Sequence, residues 1–266
     1  MIPGLTSVIM PTCNRVERVL AEIEDLKNTT TTPLEIIVVI DKDEVTRNAL
    51  MKMGISRRSI YALPYSSTGG SVAWPWGERD SYISAENITL TNRVELTVYF
   101  NPGTYQGCAR CWNIGLALSR GEYIGFATDD QKYQAGWLDK SIAALDNFPD
   151  KSGMIGYNDL HWNGKELAVA YLQTRKFIIE KMGGCLGFEH YFYCCNDSEA
   201  HARAILYNRF YWCTEAIVGH EHPTYSTRES DQNDKRNALY AEKDFAEFFR
   251  RKALGFPNDF KPAIIE

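Results

Sequence analysis

Nothing in this 266-residue chain offers a run of about 18 uninterrupted apolar residues, so no membrane span is expected. The opening MIPGLTSVIMPTCNR has no basic patch leading into a long apolar stretch, and its apolar run is strand-sized. A cytoplasmic location is the expectation. Positive charge is short as well: 29 Lys and Arg stand against 34 Asp and Glu, a formal net charge of -5. That removes any general electrostatic drive toward nucleic acid and leaves only a local basic groove, or a modified nucleobase as substrate, as routes to it. The first loop, MPTCNRVER, contains no glycine, which disfavours the early phosphate loop of a nucleotidyltransferase. Seven cysteines, an odd number without small-scaffold spacing, fit reduced thiols better than a disulfide framework. Cys108-x-x-Cys111 and Cys194-Cys195 together offer four sulfurs to zinc. Adjacent cysteines are poorly placed to share one ion, however, and Trp112 beside the first pair points to packing, so buried free thiols are the preferred reading.

What is present is a core-forming composition, 44% apolar, with a hydrophobic period that switches between strand and helix. LTSVIM (5–10) is a short apolar run ended by Pro11, and RVERVLAEIEDLKN (15–28) has helical spacing. LEIIVVI (34–40) is continuous and β-branched, as in a strand buried on both faces, and DEVTRNALMKMG (43–54) reads as a helix with a glycine stop. RVELTVYF (93–100), YQGCARCWNIGLALS (105–119) and EYIGFA repeat the alternation. The pattern predicts an α/β fold with a mainly parallel sheet flanked by helices. Residues 61–87, rich in Gly, Ser, Pro and aromatics, predict a long loop excursion, with Trp74 and Trp76 able to stack on a ligand. After Thr224 a polar run precedes an amphipathic helix with Leu239, Phe245, Phe248 and Phe249 near helical spacing, expected to pack back on the domain.

The strand-like GEYIGFAT ends on Asp129 and Asp130. A buried parallel strand leaves its carboxyl end at the crevice where open α/β sheets bind ligands. Adjacent carboxylates there suit a hard divalent cation shared with phosphates, or alternatively cap the helix of QAGWLDKSIAALDNF.

The order of motifs resembles the nucleotide-sugar-dependent glycosyltransferases of the GT-A fold, in particular the inverting family 2 type, over residues 5–60 and 93–222. SVIMPTCNR is similar to that family's first strand and loop, and LEIIVVIDKD to its second. ARCWNIGLALSRGEYIGFATDDQ resembles the Asn-x-Gly helix, the following strand and a D-x-D-like acidic motif, and GWL (136–138) the segment after it. AVAYLQTRKFIIEKMGGCLGFEHYF, NDSEAHARA and VGHEHP resemble the acceptor segment, the base-bearing helix and a late strand with a histidine. The chain departs from the pattern at Thr128, where the first D-x-D carboxylate is expected, and at Asn196, where the base motif usually has an acid.

The resemblance implies a GT-A domain over 1–223, with a nucleotide-binding half (1–130) and an acceptor half (131–223), and a C-terminal extension (224–266). It implies Mn²⁺ or Mg²⁺ on Asp130 with His220 or His222, two residues expected on opposite faces of a strand end. Pro11, Thr12, Asp41 (or Asp43), Arg110 and Asp129 would hold the nucleoside diphosphate, UDP more readily than GDP. Asp197 would be the general base toward an acceptor hydroxyl, with Gly183, Gly184 and Trp162 near the acceptor. A catalytically silent nucleotide-sugar or carbohydrate-binding protein on the same scaffold is the rival from another class.

Overall fold

The computed structural model describes residues 1–54, 56–62, 82–103, 105–161, 166–225 and 227–259. In chain order these form β1 (Ile2–Thr12), α1 (Val16–Thr29), β2 (Leu34–Asp41), α2 (Glu44–Leu50), β3 (Ser56–Ala62), β4 (Tyr82–Thr89), β5 (Val94–Asn101), α3 (Cys108–Leu118), β6 (Gly121–Phe126) and β7 (Gln131–Tyr133). They continue with α4 (Trp137–Leu145), β8 (Met154–Asn158), β9 (Tyr171–Thr174), α5 (Arg175–Lys181), α6 (Asn196–Leu206), β10 (Phe210–His220), a 3₁₀ turn (Pro223–Tyr225) and α7 (Gln232–Ala253). No described helix is long and apolar enough to cross a membrane.

The sheet runs β3-β4-β5-β2-β1-β6-β9-β8-β10-β7. Its centre, β5-β2-β1-β6, is parallel throughout, and β8 and β10 pair in parallel further out. Antiparallel strands β3, β4, β9 and β7 complete it. β2 shows why LEIIVVI is continuously apolar. Ile36, Val38 and Ile40 join the core on one face, with α1, α2 and α4, while Ile37 and Val39 join the other, with α3, α5 and α6. β1 continues through Pro11, because its pairing with β2 extends to Thr12–Ile40 while its pairing with β6 stops at Ile9–Phe126.

The Asn-x-Gly motif has a structural reason. Asn113 Oδ1 accepts the amides of Leu186 and Gly187, and its Nδ2 donates to Gly187 O and Glu189, tying α3 to the segment that leads into α6. At Gly115 an added Cβ would lie 2.2 Å from Ile9 Cγ2, so only glycine lets α3 settle so closely on β1.

Two expectations are corrected. The excursion over 61–87 is regular at both ends, since β3 and β4 form an antiparallel pair; Trp74 and Trp76 lie outside the described residues. α7 begins inside the polar run, at a capping box of Asp231 and Asp234, and three of the four apolar positions picked from its spacing are exposed. Leu239, Phe245 and Phe249 are 81%, 51% and 63% exposed, and Phe248 packs inward. The buried stripe is Asn233, Asn237, Asp244 and Arg251, at helical intervals of four, seven and seven residues. Asp244 accepts the amides of Phe192, Tyr193 and Cys194. Arg251 makes a two-pronged contact with Glu199, which also receives Arg203 and the Tyr191 hydroxyl.

Glu199, Arg203 and Arg251 have no exposed side-chain surface. Removing the carboxylate takes the acidic partner from the buried Arg203 and leaves Arg251 with Asp259 as its acid, so Glu199→Ala is expected to lower the unfolding free energy by about 3–5 kcal/mol. Urea denaturation checks this; an unchanged midpoint would show that α7 is held by other contacts.

Candidate active site

A cleft of about 620 Å³ opens at the carboxyl ends of β1, β2 and β6. Thr12, Asp41, Asp129 and Asp130 come from those strand ends, and His220 and His222 from the end of β10 and beyond. Asp197, in the first turn of α6, lines the same cleft, and α7 borders it with Asn233, Asp234, Arg236 and Asn237. Parallel strands converge their ends on one edge of the sheet, which brings together residues 12, 41 and 129.

Asp129 and Asp130 are 5% and 7% exposed, so each depends on immediate partners. Asp129 accepts Thr12 Oγ1 at 2.8 Å and Arg15 Nη1 at 2.7 Å. Burial pushes its carboxyl up, and the neighbouring Asp130 adds to this, more than Arg15 pulls it down. Asp130 is tied to Thr128 Oγ1 at 2.7 Å, His220 Nε2 at 3.2 Å and Arg228 Nη2 at 3.2 Å. Burial opposes its charge, but the hydrogen bond and positive charge of His220 prevail and hold it well below the usual carboxylate range. His220 is correspondingly raised: burial would lower it, and the bond to Asp130 outweighs that. Arg15 and Arg228 are themselves shared with α7, Arg15 with Asp231 and Asp234 and Arg228 with Asp234. From STRESDQNDKR, Ser230, Asn233, Asp234 and Arg236 thus line the cleft, and Asp231 and Arg228 pair with the lining residues Arg15 and Asp130.

The donor set suits a divalent cation. Asp130 and His220 offer a carboxylate oxygen and an imidazole nitrogen 3.2 Å apart, and the second imidazole nitrogen, Nδ1, is buried without a hydrogen-bond partner. Among the described residues no group of three or more His, Cys, Asp or Glu is arranged to hold a metal, so the protein itself supplies two candidate ligands here. His222 does not sit across the strand from His220. β10 ends at His220, the chain turns, and the two rings lie 5.3 Å apart on the same cleft, with His222 Nδ1 accepting the Thr224 amide.

Asp197 is half-buried, and burial raises its carboxyl above the ordinary value despite the Ser198 amide it accepts at 2.8 Å. It does not cap α6: the N-cap position belongs to Cys195, without a side-chain bond. Asn196, where the resemblance leads one to expect an acid, accepts the Phe188 amide instead.

The remaining candidates divide. Pro11, Thr12 and Asp41 line the cleft; Asp41 is occupied by Asn101 Nδ2 and the amides of Gln106 and Gly107, which fixes the loop before α3. Asp43 is the N-cap of α2. Arg110 does not line the cleft, because Glu189 and Gln106 hold its guanidinium on the outer side of α3. Gly183 and Gly184 also lie outside the cleft lining; with φ of 68° and 75° they end α5, Gly184 donating to Ile178 O. Trp162 lies outside the described residues. Cys108, Cys111, Cys194 and Cys195 are free thiols along the cleft and form no zinc cluster among the described residues.

The architecture is that of the GT-A glycosyltransferases. No protein-family model matches the sequence, and no curated protein matches it. Solved structures do. The mannosyltransferase PcManGT from Pyrobaculum calidifontis, in complex with GDP-Man and Mn²⁺, superposes with a TM-score of 0.59 at 16% identity, over 92% of this chain and 64% of that one. This chain thus spans a little under two thirds of that protein. S. aureus TarS 1–349 in complex with UDP-GlcNAc gives a TM-score of 0.53 at 14% identity over 92% and 72% of the two chains. Glucosyl-3-phosphoglycerate synthase from Mycobacterium tuberculosis, in complex with Mn²⁺, UDP and glucosyl-3-phosphoglycerate, gives 0.53 at 10% identity over 96% and 82%.

The His220–Asp130 pair has a pH signature. Because the folded pKa of His220 is raised, its contribution to stability is complete below the unfolded value of about 6.5 and is lost as pH rises through the folded value. In metal-free protein the stability advantage of wild type over Asp130→Asn is expected to shrink as pH rises from about 6 to about 9. The His220 imidazole resonances are expected to titrate at lower pH in the variant. An advantage independent of pH, with unchanged titration, would show that the two groups are not paired.

Proposed function

We propose that this protein is a metal-dependent, inverting glycosyltransferase that moves a sugar from a nucleoside diphosphate, UDP in preference to GDP, to an acceptor hydroxyl. The observation that carries this reading is the placement of three acids in one cleft. Asp129 and Asp130 stand neutralised at the parallel strand ends, and Asp197 faces the same space with a raised pKa. The fold shared with transferases whose structures contain GDP-Man, UDP-GlcNAc or UDP supports it.

Asp130 and His220 would hold Mn²⁺ or Mg²⁺, with His222 beside them; a cation there supplies Lewis-acid stabilisation of charge on the leaving diphosphate. Thr12 and Arg15 hold the Asp129 carboxylate in place beside the end of β1, so that the acid an arriving ligand meets is already oriented. Pro11 and Asp41 border the part of the cleft assigned to the nucleoside. Asp197 takes the proton of the acceptor hydroxyl as that oxygen attacks the anomeric carbon, and attack opposite the leaving group inverts the configuration. A raised pKa strengthens a carboxylate as a base, and partial exposure leaves it room to meet the acceptor. We assign residues 1–130 to the donor side and 131–223 to the acceptor side, with 224–266 closing the donor side through α7.

Release of nucleoside diphosphate from UDP- and GDP-sugars, with and without Mn²⁺, tests the reading. Asp197→Asn is expected to lower kcat by about 10²- to 10⁴-fold while leaving the affinity for the nucleoside diphosphate unchanged. Equal turnover in the variant would remove Asp197 from the chemistry. Absence of turnover with every donor, in a protein that still binds nucleotide, would favour the carbohydrate-binding alternative.

A further inference from the structure

Two arginines line the cleft, Arg15 and Arg236, and a third, Arg228, pairs with Asp130 of its lining; they differ in one respect. Arg15 presents the edge formed by Nε and Nη2 to Asp231, at 2.9 and 3.2 Å, and its Nη1 to Asp129. Arg228 is shared by Asp130 and Asp234. Arg236, in the second turn of α7, has the same Nε and Nη2 edge buried with no hydrogen-bond partner among the described residues. Its guanidinium carbon lies 3.9 Å from the centre of the Tyr105 ring, and its positive charge lowers the Cys13 thiol against the upward push of burial.

That edge is the one that elsewhere in this protein receives two carboxylate oxygens at once, in Arg15–Asp231 and again in Arg251–Glu199 at 2.8 and 3.0 Å. A buried charged donor left without an acceptor is costly, and stacking on an aromatic ring satisfies the face of the guanidinium but not its edge. The matching group is a compact oxyanion with two oxygens on one side, a carboxylate or a phosphate. Every carboxylate with a contact to Arg15 or Arg228 is already engaged, whereas the cleft beside Thr12, Asp41 and Tyr105 is open space bordered by Arg236.

We infer that Arg236 is a phosphate-binding residue of the donor site, carried into the cleft by α7, which takes two oxygens of the nucleoside diphosphate on its Nε–Nη2 edge. The inference rests on the donor reading above and adds to it a residue that no part of the motif pattern picks out. It also gives α7 a function. The helix is held by a polar stripe, Asn233, Asn237 and Asp244, and by Tyr240 and Phe248, which places Arg236 at the cleft.

The test is calorimetric titration of UDP, GDP and inorganic pyrophosphate, with and without Mn²⁺, into wild type, Arg236→Ala and Arg236→Lys, together with the Tm of each protein. We expect Arg236→Ala to bind the preferred nucleoside diphosphate and pyrophosphate about 10- to 100-fold more weakly, because a charge-assisted pair is lost. We expect Arg236→Lys to recover only part of this, because an ammonium has no two-pronged edge. The Tm of Arg236→Ala should equal or exceed that of wild type, since an unpaired buried donor is removed. Undiminished binding by Arg236→Ala, in a wild type that binds nucleotide, overturns the inference and leaves the donor reading intact. A Tm lowered by several degrees also overturns it, by making Arg236 structural. Failure of wild type to bind any nucleoside diphosphate overturns the donor reading itself, and this inference with it.

Discussion

Two adjacent carboxylates buried at the end of a parallel strand are the constraint around which this protein is arranged. Asp129 and Asp130 have almost no solvent to stabilise them, and side by side they repel. The chain answers with Arg15 from the loop after β1, His220 from the end of β10 and Arg228 from the segment before α7. These partners come from regions 98 to 114 residues distant in sequence, except His220 at 90, so the acid pair fixes the relative positions of the first loop, the last strand and the C-terminal helix. Such a centre is suited to exchange. Cations that neutralise it in the resting protein stand where a ligand bringing its own positive and negative charge would have to be accommodated.

The C-terminal helix follows from the same constraint. Asp231 and Asp234 balance the arginines that balance Asp129 and Asp130, and the capping box they form starts α7 at that point. The far end of the helix is held by Arg251 on Glu199. Between the two anchors the helix passes along the cleft on hydrogen-bonding side chains together with Tyr240 and Phe248, while Leu239 and Phe249 face outward and Phe245 borders the cleft. Charge at its ends and mixed polar and aromatic contacts between them place the helix.

Much of the fold was legible in the residues. Continuous β-branched runs gave the parallel centre, and helical spacing gave α1, α2 and α3 within a few residues. The acid pair, Asp197 and the late histidine could be picked out because their motifs resemble a known pattern, and the structure brings them to one cleft. The failures have physical reasons. Arg110 carries the right charge at a plausible position, but a helix face decides where it points, and Glu189 and Gln106 claim it. Gly183-Gly184 signals a backbone freedom that α5 uses for its own termination. Strand alternation predicts opposite faces for His220 and His222, but β10 ends at His220 and the chain turns there. Apolar spacing alone does not mark the buried face of α7, because charge pairing at both ends sets its orientation. Arg15, Arg228 and Arg236 had no local signal beyond their charge; only the density of opposite charges in STRESDQNDKR hinted at pairing.

The central claim is that the Asp129–Asp130 centre takes up a cation together with a nucleoside diphosphate, each favouring the other. Titration of Mn²⁺ followed by electron paramagnetic resonance, with and without UDP or GDP, tests it most directly. The account predicts weak Mn²⁺ binding alone, tightened when one of the nucleotides is present, and loss of that tightening in Asp130→Ala. Mn²⁺ binding that is the same with and without either nucleotide, or unaffected by Asp130→Ala, would contradict it.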